Sequence, residues 1–329
     1  MTSVLHARFP ELTGSLPRLP LGSGHTPVRA LTHLSPASVP IWVKDEGAYG
    51  DGGWGGNKVR KLEWLLADAL RRERRTVLTV GGLGTNWGLA TACYAREYGL
   101  HTALALVDQP ADDHVRVQLR RLAESGASLH FTHTKTRTIA AVPLLLACYR
   151  RPYLIPPGGS NPLGLLGYVE AAFELADQVR TGALPEPTHI VVPVGSGGTV
   201  AGLWLGLELA GLTDVTIVAV VVNDTLRLDR PALRRLARRS ASLLTHRGAQ
   251  LPAAVLADRQ LLITTEWMGA GYGHPTPAAT SAVTTARHRA GLELEPVYTG
   301  KAMAALLYMV GAGQLGTGPV LFLNTHGPR

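Results

Sequence analysis

The run Ile190-Val191-Val192-Pro193-Val194-Gly195-Ser196-Gly197-Gly198-Thr199-Val200-Ala201-Gly202 decides how this chain folds. Its first part is apolar without alternation, which predicts a strand over Ile190–Val194 covered on both faces. A glycine-rich turn follows and opens a helix predicted over 199–211. Glycines let backbone N–H groups close on an anion, the helix N-terminus adds positive potential, and Ser196 and Thr199 offer hydroxyls. Residues Gly195, Ser196, Gly197, Gly198 and Thr199 therefore read as a phosphate cup. A dinucleotide fingerprint would need a third glycine where Val200 stands, and no Gly-Lys-Ser/Thr ending marks a triphosphate loop. A short cup with no ribose reader suits a small phosphorylated cofactor.

Outward from this run, apolar strands alternate with amphipathic helices from about residue 40. Helix 58–75 carries Val59, Leu62, Leu65, Leu66 and Leu70 on one face, and strand Thr76–Val80 follows. A helix near 87–98, strand 102–107, helix 113–125 and strand 128–132 complete a first series. The second series has helix 162–180, strand 190–194, helix 199–211, strand 215–222 and helix 230–245. It closes with helices 276–290 and 300–311 and strand 320–323. Such alternation predicts an α/β fold of open, twisted, mostly parallel sheets flanked by helices, with ligands beyond the carboxyl ends of the strands. The turn-rich stretch Pro152–Pro162 is the expected passage between two lobes, and residues 1–40, rich in Pro, Gly and Ser, are expected to wrap the surface.

Two more glycine turns carry candidate chemistry. Gly52-Gly53-Trp54-Gly55-Gly56-Asn57-Lys58 leads into Val59-Arg60-Lys61-Leu62-Glu63. A lysine in the first turn of a helix faces the positive end of the dipole, which favours its neutral, nucleophilic amine. A solvated lysine after a loop is the plain alternative for this segment taken alone. Gly81-Gly82-Leu83-Gly84-Thr85-Asn86-Trp87-Gly88 is again strand-to-helix. Thr85 and Asn86 stand where a helix N-cap is expected, and together with free helix N–H groups they are suited to a carboxylate.

Bulk properties narrow the class. The 329 residues carry a net charge of +8, with arginine clusters at Arg71, Arg72, Arg74, Arg75 and at Arg234, Arg235, Arg238, Arg239. These read as solvated faces toward helix ends; no aromatic platform accompanies them, so nucleic-acid binding is not expected. No membrane span and no secretory start are visible, and the only cysteines, Cys93 and Cys148, lack ligand spacing. A reducing, cytoplasmic location without a metal site is the expectation, His130 and His133 being strand or surface residues.

The helix-leading Lys58 after Gly-Gly-Asn, the Thr85-Asn86 turn and the later Gly-Ser-Gly-Gly-Thr cup resemble the fold-type II pyridoxal-phosphate enzymes, the tryptophan synthase beta superfamily. Within them the chain resembles the D-cysteine desulfhydrase / 1-aminocyclopropane-1-carboxylate (ACC) deaminase family. Further matches are Gly158-Gly159-Ser160-Asn161-Pro162-Leu163-Gly164, Gly271-Tyr272-Gly273-His274-Pro275 and Pro296-Val297-Tyr298-Thr299-Gly300-Lys301, with a weaker one at Asn324-Thr325-His326-Gly327. The matches run in order over residues 40–327.

The resemblance implies pyridoxal 5'-phosphate as cofactor, a small amino acid as substrate and a homodimer. It implies a large cofactor-binding domain from residues 1–59 and 162–329 and a small domain from 60–161. Lys58 would be the Schiff-base lysine and proton-transfer base, and Asn86 would contact the cofactor's phenolic oxygen. The cup 195–199 would hold the phosphate and Thr299 would face the pyridine nitrogen. Thr85, Asn86, Trp87, Gly88, Tyr272 and Tyr298 would surround the substrate, with Thr85 and Tyr298 as rivals for the second acid–base role and Tyr272 beside them in the catalytic set. The deaminases resembled here carry a glutamate at position 299; a neutral hydroxyl makes the ring a weaker electron sink, which favours losing a good leaving group such as thiolate. A desulfhydrase-like β-elimination is thus expected ahead of β-replacement of the cysteine-synthase kind, ACC deamination or a non-catalytic cofactor-binding role. The desulfhydrase-like pattern Ser-Asn-His-x-Arg reads Thr85-Asn86-Trp87-Gly88-Leu89 here, nearer the cysteine-synthase branch, and His326 stands where a glycine is expected.

Overall fold

A computed structural model describes residues 3–34, 39–51, 56–252 and 260–327. In chain order the strands are β1 (Val28–Ala30), β2 (Ile41–Asp45), β3 (Thr76–Gly82), β4 (His101–Val107), β5 (Ser128–His133), β6 (Tyr153–Leu154), β7 (His189–Val194), β8 (Thr216–Val221), β9 (Leu261–Thr264) and β10 (Val320–Asn324). The helices are α1 (Val4–Arg8), α2 (Val59–Arg71), α3 (Asn86–Glu97), α4 (Asp113–Glu124), α5 (Lys135–Cys148), α6 (Leu166–Arg180), α7 (Gly198–Ala210), α8 (Arg230–His246), α9 (Pro277–Ala290) and α10 (Thr299–Gly311). Among the described residues the strands form two sheets, one ordered β1-β2-β10-β7-β8-β9 and the other β5-β4-β3-β6. All neighbouring strands are parallel except β1 with β2. The α/β architecture read from the sequence is the one observed.

Burial explains the strand patterns. In β8 all six residues are buried, and Val192 and Val194 of β7 pack with Leu203 and Leu207 of α7 on one side of the six-stranded sheet. Val191 of β7 packs on the other side with Met303 and Leu306 of α10. A strand covered on both faces has no reason to alternate, which is why these runs read as continuous apolar stretches.

Several elements differ from expectation, each for a local reason. Helix α2 stops at Arg71 rather than 75, because Glu73 takes a left-handed backbone with φ 54°. Helix α6 begins at Leu166 rather than 162, because Gly158 and Gly159 are left-handed and the Asn161 side chain accepts from the N–H of Gly164 in a turn. Strands β1, β6 and β9 have only 3, 2 and 4 residues, too few to register a period of two. Helix α5 carries no sequence periodicity, because its apolar residues do not form an inward stripe: Ile139 and Leu144 face solvent and Pro143 lies within it. The amino-terminal segment does more than wrap the surface. Leu5, Leu12 and Leu16 are buried against α6 in the core of the six-stranded sheet.

The arginine clusters are largely solvent-facing, with Arg71, Arg72, Arg75, Arg235, Arg238 and Arg239 exposed. Arg71 and Arg72 at the end of α2 both pair with Asp68, while Arg235, Arg238 and Arg239 lie exposed along the first half of α8 instead of at its end. His130 pairs with Tyr149 and His133 with Asp108 on β5. Among the described residues no helix is long and apolar enough to cross a membrane.

Candidate active site

Strands β3 and β7 end on opposite walls of one cleft, so the turns after them face each other, as expected for open α/β sheets. The cleft has a volume of about 160 Å3. The glycines 52–55 of the first turn lie outside the described residues, and its last members, Asn57 and Lys58, line the cleft.

Lys58 is the N-cap residue of α2, and its Nζ donates to Asn57 Oδ1. Burial depresses its ammonium to about 8, partly opposed by the carboxylate of Glu295. One helical turn on, Lys61 turns the same way, with Nζ 3.1 Å from the carbonyl of Gly158. Burial, reinforced by the charge of Lys58, lowers it to about 7. Two basic amines thus stand on one side of the cleft.

Opposite them is the cup. Gly197, the N-cap of α7, has φ 80°, a left-handed conformation that glycine adopts without strain. The N–H of Gly198 donates to Ser160 Oγ at 3.1 Å, and Ser160 and Ser196 pair at 2.8 Å. Asn223 Nδ2 holds the carbonyl of Gly195 at 2.8 Å, fixing the start of the turn. A β-carbon on Gly198 would sit 2.8 Å from Lys61 Nζ, which shows how near the ammonium lies to the cup.

On the remaining wall Thr85 caps α3, its hydroxyl accepting the N–H of Gly88 at 3.1 Å. Asn86 Oδ1 accepts from Gln118 Nε2 of α4. Tyr272 and Tyr298 meet edge-to-face with ring centroids 6.0 Å apart. Lys58 Nζ stands 6.0 Å from the Tyr298 ring centroid. Burial raises both phenols, so each keeps its proton through the neutral range.

Three of the residues named from the sequence do not line the cleft. Gly88 is a packing position, where a β-carbon would strike Leu104 and Thr85. Gly198 turns its N–H to Ser160. Thr299 is fully buried, and its hydroxyl is bound to Glu295, accepting that residue's N–H at 3.0 Å and meeting its carboxylate at 3.1 Å. Trp87 borders the cleft, but its indole N–H donates to Thr79 Oγ1 at 2.9 Å and its ring packs against Gly159. Leu89 lies in a small core with Leu104 and Leu106. The two positions where the resembled pattern has imidazole and guanidinium are therefore built into packing here.

Lys61, Ser160 and Glu295, which the sequence reading gives no role of their own, also belong to this constellation. Lys61 follows Lys58 by three residues on a helix, a spacing that places both on one face. Glu295 lines the cleft while its carboxylate accepts the N–H groups of Val297, Tyr298 and Thr299 at the start of α10. No sequence signal marks a carboxylate that folds forward over the next helix.

These residues fit pyridoxal phosphate. A lysine with a depressed ammonium suits attachment of an aldehyde, and a left-handed glycine turn with two serines and a second lysine suits a phosphate dianion. Residues 19–326 match the family described as pyridoxal-phosphate dependent enzyme. D-cysteine desulfhydrase of Salmonella newport is 34% identical over 322 residues, covering 94% of this chain and 94% of its own. A crystal structure of an ACC deaminase homologue superposes with a TM-score of 0.80 at 30% identity, over 96% of this chain and 93% of that one. A fungal L-serine ammonia-lyase from Rhizomucor miehei shares the fold with a TM-score of 0.65 at 19% identity, over 94% and 95% of the two chains. A cleft that pairs a softened lysine with a phosphate cup, on a chain this similar along nearly its whole length, places the protein among the pyridoxal-phosphate dependent enzymes, in the D-cysteine desulfhydrase / ACC deaminase family.

Proposed function

We propose that the protein is a carbon–sulfur lyase of the D-cysteine desulfhydrase kind, converting a cysteine and water into pyruvate, ammonia and hydrogen sulfide. The observation that carries this reading is the softened Lys58 amine, facing the Tyr272–Tyr298 pair in the cleft that holds the phosphate cup. Bound there, the cofactor supplies an electron sink for the carbon next to the substrate's amino group. The chain's own groups do the rest. The cup, with Ser160, Ser196 and Lys61, would hold the phosphate, and the Asn86 amide would contact the ring's phenolic oxygen. The first turn of α3, with Thr85, holds the substrate carboxylate. Lys58 Nζ, uncharged in a large fraction near pH 8, takes the proton from the substrate's α-carbon. The proton for the departing sulfur would come from Tyr298, kept protonated by burial, or from Thr85, the two candidates for this role.

The expected neutral environment of the pyridine nitrogen changes in detail, because the Thr299 hydroxyl is occupied by Glu295. We place Glu295 at that end of the cleft, with Thr299 buried behind it and bound to its carboxylate. The packing of Trp87 and Leu89 favours a second reading, β-replacement, since neither offers the polar group of the desulfhydrase pattern.

The test is direct. Purified protein should be yellow, and D-cysteine or L-cysteine should yield pyruvate and sulfide. A β-substituted alanine with added thiol separates the readings: keto acid supports elimination, a new amino acid supports replacement. Lys58→Ala should lower turnover by about a thousandfold or more, the scale of a lost general base and covalent anchor. Colourless protein that stays so after added pyridoxal phosphate would sink the proposal. Two cysteines without a disulfide among the described residues are compatible with the cytoplasm, where we place the enzyme. The partner we propose for the exposed apolar face of α5 is a second copy of the chain.

A further inference from the structure

We propose that Gln109 reads the carboxylate of the amino-acid substrate, as a specificity residue supplied by the loop after β4. The inference rests on the amino-acid substrate of the lyase reading and assigns a contact that reading does not contain.

Four observations carry it. Gln109 lines the cleft, half-buried, on the wall that bears the Gly81–Asn86 turn. Its carboxamide lies directly over that turn: a β-carbon on Gly82 would collide with Oε1, and one on Gly84 would sit 3.0 Å from Nε2. Glycines at 82 and 84 thus leave the space that the amide of Gln109 fills, one residue before the Thr85 cap. Among the described residues the carboxamide makes no side-chain hydrogen bond, although it has donors and an acceptor to satisfy. The loop itself is held at both sides. Asp108 receives His133 Nδ1 at 3.1 Å and donates its N–H to the His133 carbonyl at 2.9 Å, while a β-carbon on Gly273 would sit 3.1 Å from Pro110. An amide with unused donors, carried on an anchored loop beside a helix N-terminus suited to an anion, is a carboxylate reader.

Amino acids and a carboxylate-free amine distinguish this role from packing. The holoenzyme is titrated with D-alanine, L-alanine and cysteamine, following the visible spectrum of the bound cofactor. Alanine carries no leaving group, so it reports binding without elimination. Gln109→Ala should raise half-saturation by the accepted alanine enantiomer about tenfold or more, the scale of a hydrogen bond to a charged group. Gln109→Glu should raise it further by repulsion. Cysteamine should bind all three proteins alike, and thermal stability should not change. Gly82→Ala offers an independent route, because its methyl displaces the amide without removing it and should reproduce the effect of Gln109→Ala. Unchanged alanine binding in Gln109→Ala, an equal weakening for cysteamine, or a wild type insensitive to both alanines would overturn the inference. Failure of the lyase reading has a separate signature: alanine perturbs the wild-type spectrum, yet neither cysteine enantiomer releases pyruvate or sulfide.

Discussion

Lys58 concentrates much of the chemistry in one amine whose environment favours its neutral form. Because its folded-state value is lowered to about 8, the nucleophilic amine accumulates at lower pH than on an exposed lysine. Reconstitution of apoenzyme with pyridoxal phosphate should therefore speed up with rising pH and level off just above about 8. A rate still climbing steadily toward the ordinary lysine value would show that burial does not tune this group. At this scale the sequence was legible where a residue's role follows from its backbone position. The N-cap of Thr85, the glycine turn at 197 and the helix-leading lysine all follow from local chain geometry. It was not legible where a side chain chooses between neighbours distant in the chain. Thr299 turns to Glu295 and Trp87 to Thr79, and neither choice is written in spacing.

Helix α2 shows how an element can be fixed by charges its own sequence does not explain. Its Arg60 pairs with Glu46 and Glu174, and Lys44 reaches Glu174 from β2, all of them nearly inaccessible to water. Burial opposes the charge on Glu174, but Arg60 and Lys44 outweigh it and hold the carboxyl at about 2. Its folded value lies below the ordinary 4.5, so the stabilisation is fully present above about pH 4.5 and is lost as pH falls toward 2. Denaturant midpoints measured across that window should fall with acid in the wild type and fall less steeply in Glu174→Gln. Arg60→Met leaves two buried carboxylates facing each other and should cost about 3–5 kcal/mol in unfolding measurements, with loss of the bound cofactor as α2 shifts. Sequence periodicity marked α2 as amphipathic, yet its buried Arg60, Lys61 and Glu63 look like surface residues in any such pattern. Helix α5 is the converse, a helix hidden from pattern reading because its apolar side looks outward.

For the molecule as a whole, we propose that residues 1–59 and 162–329 form the large, cofactor-holding domain and 60–161 the small one; the membership of the two sheets supports this division. On the small one, Ile139 and Leu144 of α5 are 63% and 66% exposed, which is unusual for large apolar side chains unless something covers them. Ile139→Asp with Leu144→Asp should turn a dimer into a monomer in sedimentation analysis without changing the spectrum of the bound cofactor; a double variant that sediments like the wild type would move the interface elsewhere. The order of strands also governs the birth of the protein. Strand β2, made early, pairs along its whole length with β10, completed only at Asn324. On the ribosome the four-stranded sheet can close once β6 has emerged, whereas the six-stranded one waits until β10 has been translated. A nascent chain stalled before Val320 therefore holds β2 and β7 apart with a vacant slot between them, an invitation to chaperones and to premature aggregation alike.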